Sequence, residues 1–234
     1  MKKIILTIFI VLASNLMYSQ SWDFTSSDYQ SSDFTSVGNS YWIDDGGLNP
    51  SKRMRLVALY AGQQGSFWLN SKTINPSLKW SASFTADINY GSNPDADGLA
   101  FTIQPTGTAV NGNISYGAYN ANALSVSIIT YTTNLINVYA NNSTTPKGSV
   151  SASLAGSTPF NVTISYAPTT TTLSVALSQA GGPNVSYNVD IDLAMELGTT
   201  ADFTIGFSAQ TGGAANNHGI HNFTFDEQVI FVNS

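Results

Sequence analysis

Eight short segments in which apolar and polar residues alternate, each bounded by turn-forming residues, constrain this chain more than any other feature of its sequence. They run over Leu78–Asn89, Gly98–Ile103, Ala123–Tyr131, Leu135–Ala140, Phe160–Tyr166, Thr172–Leu177, Val185–Ile191 and Ala201–Ala209. In Phe160–Tyr166, the residues Phe160, Val162, Ile164 and Tyr166 fall on one face of an extended chain, and Asn161, Thr163 and Ser165 on the other. A period of two repeated over this many runs specifies stacked antiparallel sheets, each with one face toward a core and one toward water. The turns between runs are equally legible. Ala167-Pro168-Thr169-Thr170-Thr171 presets a hairpin through its proline, and Gly181-Gly182-Pro183-Asn184 marks the next reversal. Helix is confined to one expected turn over Leu193–Leu197, with Asp192 placed to cap it.

The first twenty residues stand apart. Lys2 and Lys3 precede an apolar run from Ile4 to Met17, followed by small and polar residues, the three-part layout of a secretory signal peptide with cleavage expected near Ser19 or Gln20. The run is shorter than the roughly 20 apolar residues of a membrane span, and no later stretch approaches that length, so an exported domain over residues 21–234 is expected. A domain of this size suits a single all-β sandwich with one large core. The chain has no cysteine, so neither disulfides nor thiolate metal sites contribute, and stability has to come from burial between sheets. Without the leader, six cations face fourteen acids, a balance that disfavours sequence-independent nucleic-acid binding.

Between Ser21 and Asn49, five acids (Asp23, Asp28, Asp33, Asp44 and Asp45) are interleaved with Phe24, Tyr29, Phe34, Tyr41 and Trp42. This stretch reads as a first strand with a solvated loop. A calcium loop is the alternative, although no D-x-D-x-D-G spacing is present.

Three further segments carry a family resemblance. Asp95-Ala96-Asp97-Gly98-Leu99-Ala100-Phe101 resembles the A-D-G-x-A-F stretch of the legume-type (L-type) lectins, Phe160–Leu177 is similar to a hairpin of that family, and Ile205–Phe225 resembles its G-F-S-A-x-T-G-G strand, loop and returning strand. The resemblance implies a concanavalin A-like jelly-roll sandwich that holds glycans or polysaccharide in loops at one end of its front sheet. It implies that Asp97 is the acid that accepts hydrogen bonds from two sugar hydroxyls, with Gly98 beside it and a cis peptide at Ala96-Asp97. It likewise implies that Gly212, Gly213, Ala214 and Asn216 form the loop of donors that sets sugar preference, and that Asn113 lies near a glycine-rich contact loop. The chemistry is sensible in itself: a carboxylate flanked by backbone N–H groups satisfies adjacent hydroxyls that donate and accept together, and a ring such as Tyr116, Tyr119 or Tyr131 covers a sugar's apolar face.

The chain departs from the family where the family binds calcium and manganese. Against the pattern E-F-D-T-Y-x-N it reads Ser127-Ile128-Ile129-Thr130-Tyr131-Thr132-Thr133-Asn134, with Ser127 for the glutamate and Ile129 for the first aspartate. Calcium needs several oxygen ligands and isoleucine supplies none, so no metal or other cofactor is expected at this place. Hydrolysis of a glycoside would need two carboxylates roughly 5 to 9.5 Å apart. The only glutamates, Glu196 and Glu227 in the mature chain, lie outside the central segments, and Asp190 with Asp192 reads as turn capping. No G-x-S-x-G elbow accompanies His218 and His221. The expectation is a secreted, non-enzymatic carbohydrate-binding protein. An adhesive or structural surface protein that kept the fold without sugar binding is the alternative, and a degenerate glycoside hydrolase is the third.

Overall fold

A computed structural model describes residues 16–26, 31–44, 51–70, 75–89, 96–105, 107–108, 122–154, 158–198 and 203–229. Its strands are β1 (Leu16–Asp23), β2 (Phe34–Gly38), β3 (Tyr41–Asp44), β4 (Lys52–Val57), β5 (Gln64–Leu69), β6 (Trp80–Asn89), β7 (Gly98–Gln104), β8 (Leu124–Ile129), β9 (Leu135–Ala140), β10 (Gly148–Ser151), β11 (Phe160–Ala167), β12 (Thr172–Gln179), β13 (Asn184–Asp190), β14 (Thr204–Gln210) and β15 (Asn217–Val229). A single helical turn, α1 (Leu193–Leu197), completes the set, and the Asp192 side chain accepts a hydrogen bond from Met195 N–H at its start, as its sequence position requires.

Two antiparallel sheets result. The back sheet runs β13-β12-β11-β6-β15-β4-β3, with β1 also paired to β15, and the front sheet runs β10-β9-β8-β7-β14-β5-β2. The alternation in the sequence sets which face is buried. Along β11, Phe160, Val162, Ile164 and Tyr166 are buried while Asn161 and Thr163 are exposed. The two inner faces meet in an aromatic core: Phe84 of the back sheet contacts Phe207 of the front sheet edge-on at 4.9 Å between centroids, and Phe207 contacts Phe223 at 5.1 Å. Such pairs add roughly 0.5–1.5 kcal/mol each beyond the area they bury. With no disulfide available, this layer is what joins the sheets.

The N-terminal portion is more structured than its sequence suggests. In place of one strand and a solvated loop, β1, β2 and β3 contribute to both sheets, because Phe24 and Phe34 pack edge-on against each other and against Phe67. Among its acids, Asp33 accepts from Trp22 Nε1 at 2.9 Å and Asp44 stands 3.8 Å from Lys52 Nζ, so both serve local contacts; Asp28 and Asp45 lie outside the described residues. The strand β1 begins at Leu16, upstream of the expected cleavage point, and residues 21–23 keep three of its eight cross-strand pairs with β15.

The outer face of the back sheet holds a buried polar group that alternation alone would place in water. Asp87 lies between the inward-facing Ala86 and Ile88, yet it is 1 % exposed. Its carboxylate meets His221 Nε2 at 2.9 Å and Arg53 Nη1 at 3.7 Å. Gly219, opposite Asp87 on β15, makes room for the cluster: a Cβ there would collide with Arg53 Cδ and lie 2.6 Å from Asp87 Oδ1.

Candidate functional site

The ends of three central front-sheet strands converge on Asp97. Gly98, the first residue of β7, pairs with Gln210 at the end of β14 on one side and with Ile129 at the end of β8 on the other. The peptide Ala96-Asp97 is cis. The Asp97 main chain is held from both neighbours: its N–H donates to Gln210 O at 3.1 Å, and its carbonyl accepts from Thr130 N–H at 3.0 Å and Tyr131 N–H at 3.3 Å. Gly98 has φ of +144° and sits so close to β8 that a Cβ would collide with the Ile128 carbonyl oxygen. A glycine is therefore required at the residue that follows the acid.

The Asp97 side chain is half-buried and is approached by donors from the 210–212 segment. Gln210 Nε2 donates to Oδ2 at 3.4 Å, and the Gly212 backbone N–H donates to the carboxylate. Burial raises the pKa of this carboxyl above its ordinary value, and the two donors pull it partly back. At Gly212 an added Cβ would lie 3.4 Å from each carboxylate oxygen, directly over the acceptor. The missing side chain leaves that approach open, and Gly213 beside it is exposed with nothing near its Cβ position. Two donors do not exhaust a carboxylate with about four acceptor positions, so oxygen lone pairs remain for a ligand's hydroxyls.

A second loop buttresses the first. Residues 58–63, which carry the chain from β4 in the back sheet to β5 in the front sheet, bond repeatedly to residues 211 and 212. Thr211 Oγ1 donates to Tyr60 O at 2.6 Å and accepts from Gln63 N–H at 3.0 Å, Thr211 N–H donates to Gln63 O at 2.9 Å, and Gly62 N–H donates to Gly212 O at 3.0 Å. The Gly212 donor is thereby fixed by its own chain neighbours rather than by a ligand.

Of the residues expected from the sequence, Asp97, Gly98 and Gly212 come together, and Gly213 with the half-buried Ala214 continues the same loop. Asn216 is 1 % exposed, so its amide is buried rather than presented at the surface. Tyr131 is 40 % exposed beside Asp97, whereas Asn113, Tyr116 and Tyr119 lie outside the described residues. Ser127 and Ile129 are both buried on β8; they offer a single neutral hydroxyl and a hydrocarbon where two carboxylates would be needed for calcium. Among the described residues, no group of three or more His, Asp and Glu side chains could hold a metal ion. His221 bonds to Asp87 and His218 is buried, so neither is presented at the surface. The acids considered for catalysis have structural partners: Asp190 accepts from Thr171 Oγ1 at 2.7 Å, Asp192 caps α1, Glu196 pairs with Lys147 at 2.6 Å and Glu227 accepts from Asn75 N–H at 2.8 Å. Gln210 and the 58–63 loop were not singled out from sequence. Gln210 could have been, since it adjoins Thr211-Gly212-Gly213 and its register opposite Gly98 follows from pairing the two resembling strands.

The sequence profile of the legume lectin domain matches residues 19–231, nearly the whole chain. The chain belongs to the legume lectin domain family. No curated protein sequence matches it. Solved structures of similar fold include peanut lectin with a nonapeptide (19 % identity, covering 93 % of this chain and 100 % of that one, TM-score 0.74). They also include winged bean acidic lectin complexed with methyl-α-D-galactose (20 % identity, 92 % and 100 % covered, TM-score 0.73) and arcelin-5, a lectin-like defence protein from Phaseolus vulgaris (18 % identity, 92 % and 99 % covered, TM-score 0.72). At these identities the likeness carries the β-sandwich and not the ligand.

Proposed function

We propose that this legume lectin domain is an exported, non-enzymatic carbohydrate-binding protein that holds sugar hydroxyls between the Asp97 carboxylate and the loop that begins at Gly212. The observation that carries the reading is the Gly212 N–H beside an incompletely satisfied carboxylate, with the space above it kept open by a missing side chain. The carboxylate lone pairs that the Gln210 and Gly212 donors leave free are acceptors for adjacent sugar hydroxyls. The winged bean relative, complexed with a galactoside, shares the sandwich. Export rests on the leader-like first twenty residues.

The site works without the family's paired metal in this reading. Hydrogen bonds from Thr130 and Tyr131 to the Asp97 carbonyl, and the bonds of the 58–63 loop, support the positions of Asp97 and Gly212. A glycan-array screen of the mature protein, with calcium and with chelator, beside an Asp97→Ala variant, tests this. Binding that survives chelator and disappears in the variant is expected; binding that vanishes with chelator would refute metal independence, and binding that persists in the variant would refute the assigned site.

One observation favours a second reading, that of an adhesive protein on the same fold without sugar binding. The burial of Asn216 withdraws one expected donor from the loop. Absence of binding by the unmodified protein in both conditions would select it.

A further inference from the structure

Among the described residues, Arg55 has a charge with no carboxylate to meet it. It lies on β4 between the core residues Met54 and Leu56 and therefore faces outward from the back sheet. The other cations with described contacts are paired: Lys52 with Asp44, Arg53 with Asp87 and Lys147 with Glu196. Among the described residues no acid lies within ion-pair distance of Arg55, in a chain with fourteen of them, and its Nε is shielded from solvent with no hydrogen-bond partner. Two phenols flank it. The guanidinium stands 4.3 Å above the ring of Tyr41, which is 46 % exposed; burial depresses the Arg55 pKa, and Tyr60, 69 % exposed, lies near enough for its ionised form to offset that in part.

This patch adjoins the Asp97 site through the chain itself. The carbonyl of Tyr60 is the acceptor for Thr211 Oγ1, and Gly62, two residues on, donates to Gly212 O. We infer that Arg55, Tyr41 and Tyr60 form an anionic subsite that takes the carboxylate or sulfate group of an acidic glycan. The planar fork of a guanidinium matches both groups with two parallel hydrogen bonds, and phenol rings beside it offer surfaces for the apolar faces of sugar rings. The inference rests on the carbohydrate-binding reading above, and it adds a substrate class: glycans carrying uronic acid or sulfate ester alongside neutral residues.

Isothermal titration of the mature protein with three oligosaccharides of one backbone, neutral, uronate-bearing and sulfated, tests it in the unmodified chain and in Arg55→Gln, Arg55→Lys and Asp97→Ala. At least one acidic ligand is expected to bind about tenfold more tightly than the neutral one, with the advantage shrinking as salt rises. Arg55→Gln should abolish that advantage and leave neutral binding unchanged, and Arg55→Lys should restore only part of it. The uronate and sulfate arms show which group is preferred. Equal affinity for all three ligands, or an acidic preference that survives in Arg55→Gln, overturns the subsite while leaving the Asp97 reading intact. Loss of neutral binding in Asp97→Ala reports on that reading separately, and acidic binding that persists there but fails in Arg55→Gln supports the subsite by itself. Matching thermal unfolding curves for the unmodified chain and the Arg55 variants would attribute the change to the site rather than to the fold.

Discussion

Acidification should destabilise this domain through His218. The residue lies on β15 facing the core beside Ile220, it is fully buried, and neither ring nitrogen has a hydrogen-bond partner of good geometry among the described residues. Burial lowers its pKa from 6.5 to about 4, an effect only partly offset by the nearby Asp87 charge and the backbone at Asn216. Between these two values the unfolded chain binds a proton that the folded chain refuses, so stability is intact above about pH 6.5 and falls as pH drops toward 4. The linkage relation gives a loss of about 2 kcal/mol at pH 5 and about 3 kcal/mol at pH 4. Against a typical domain stability of roughly 5–15 kcal/mol that is a large share. Urea unfolding of the unmodified chain and of His218→Phe and His218→Gln at pH 7.5, 5 and 4 measures it. The remaining titratable groups are common to all three proteins, so the quantity of interest is the difference in pH slope. The unmodified chain should lose stability on acidification more steeply than both variants by about these amounts, whatever offset the substitutions impose at pH 7.5. Parallel pH profiles would refute the assignment of the neutral, buried imidazole.

Three other outcomes are expected. Glycan binding at Asp97 should weaken on acidification beginning above the ordinary carboxylate value of 3.8, because burial raises this pKa and the protonated acid loses an acceptor; titration calorimetry from pH 7 to pH 4 shows the onset. The same raised pKa acts on stability with the opposite sign to His218, since the folded state takes up the Asp97 proton first. Gly98→Ala should cost about 3 kcal/mol or more by chemical denaturation, since its Cβ would strike the Ile128 carbonyl and lie 2.9 Å from Ile129 Cα at a φ that L residues rarely adopt. Asp87→Ala should destabilise by roughly 3–5 kcal/mol, because it removes the carboxylate from a fully buried Arg53, whereas an Asp87→Leu, Arg53→Met double variant should cost less; an equal or greater loss in the double variant would contradict this.

The fold was legible wherever burial follows alternation. The strand β12 begins where the sequence places it, at Thr172, and β11 extends its expected run by one residue, with buried and open positions alternating in both. Pattern failed where neighbours in space decide burial. The strands β7 and β8 are buried at every position, including polar ones: Thr102 and Ser125 satisfy each other at 3.2 Å across the two strands, so no wet face marks their periodicity. The sequence reads both as alternating runs with one face toward water; the strands form where it places them, but that face is covered. The N-terminal strands β2 and β3 are short, and their order follows from pairing with β5, where Phe34 meets Phe67, and with β4 respectively, rather than from any local signal.

The candidate site divides along the same line. Asp97, Gly98, Gly212 and Gly213 were assigned, like Asn216, from their places in a family motif; the structure adds a local reason at Gly98, whose backbone stands at +144°, and at Gly212, where a Cβ would lie 3.4 Å from each Asp97 carboxylate oxygen, and none at Gly213. Asn216 was assigned by position in a motif, and position does not specify whether a side chain points to the ligand or into the protein; here it is buried. Asp87, Arg53 and His221 show the limit most plainly. They are separated by 34 and 134 residues in sequence and are joined only when β4, β6 and β15 lie side by side with Gly219 opening the gap between them. A charge on the outer face of a strand reads as solvated until its neighbours are known. In this chain the sparing use of charge makes that reading most misleading: with few cations, each one placed by the fold beside a carboxylate is a structural element, and Arg55, left without one among the described residues, marks the surface we assign to a ligand.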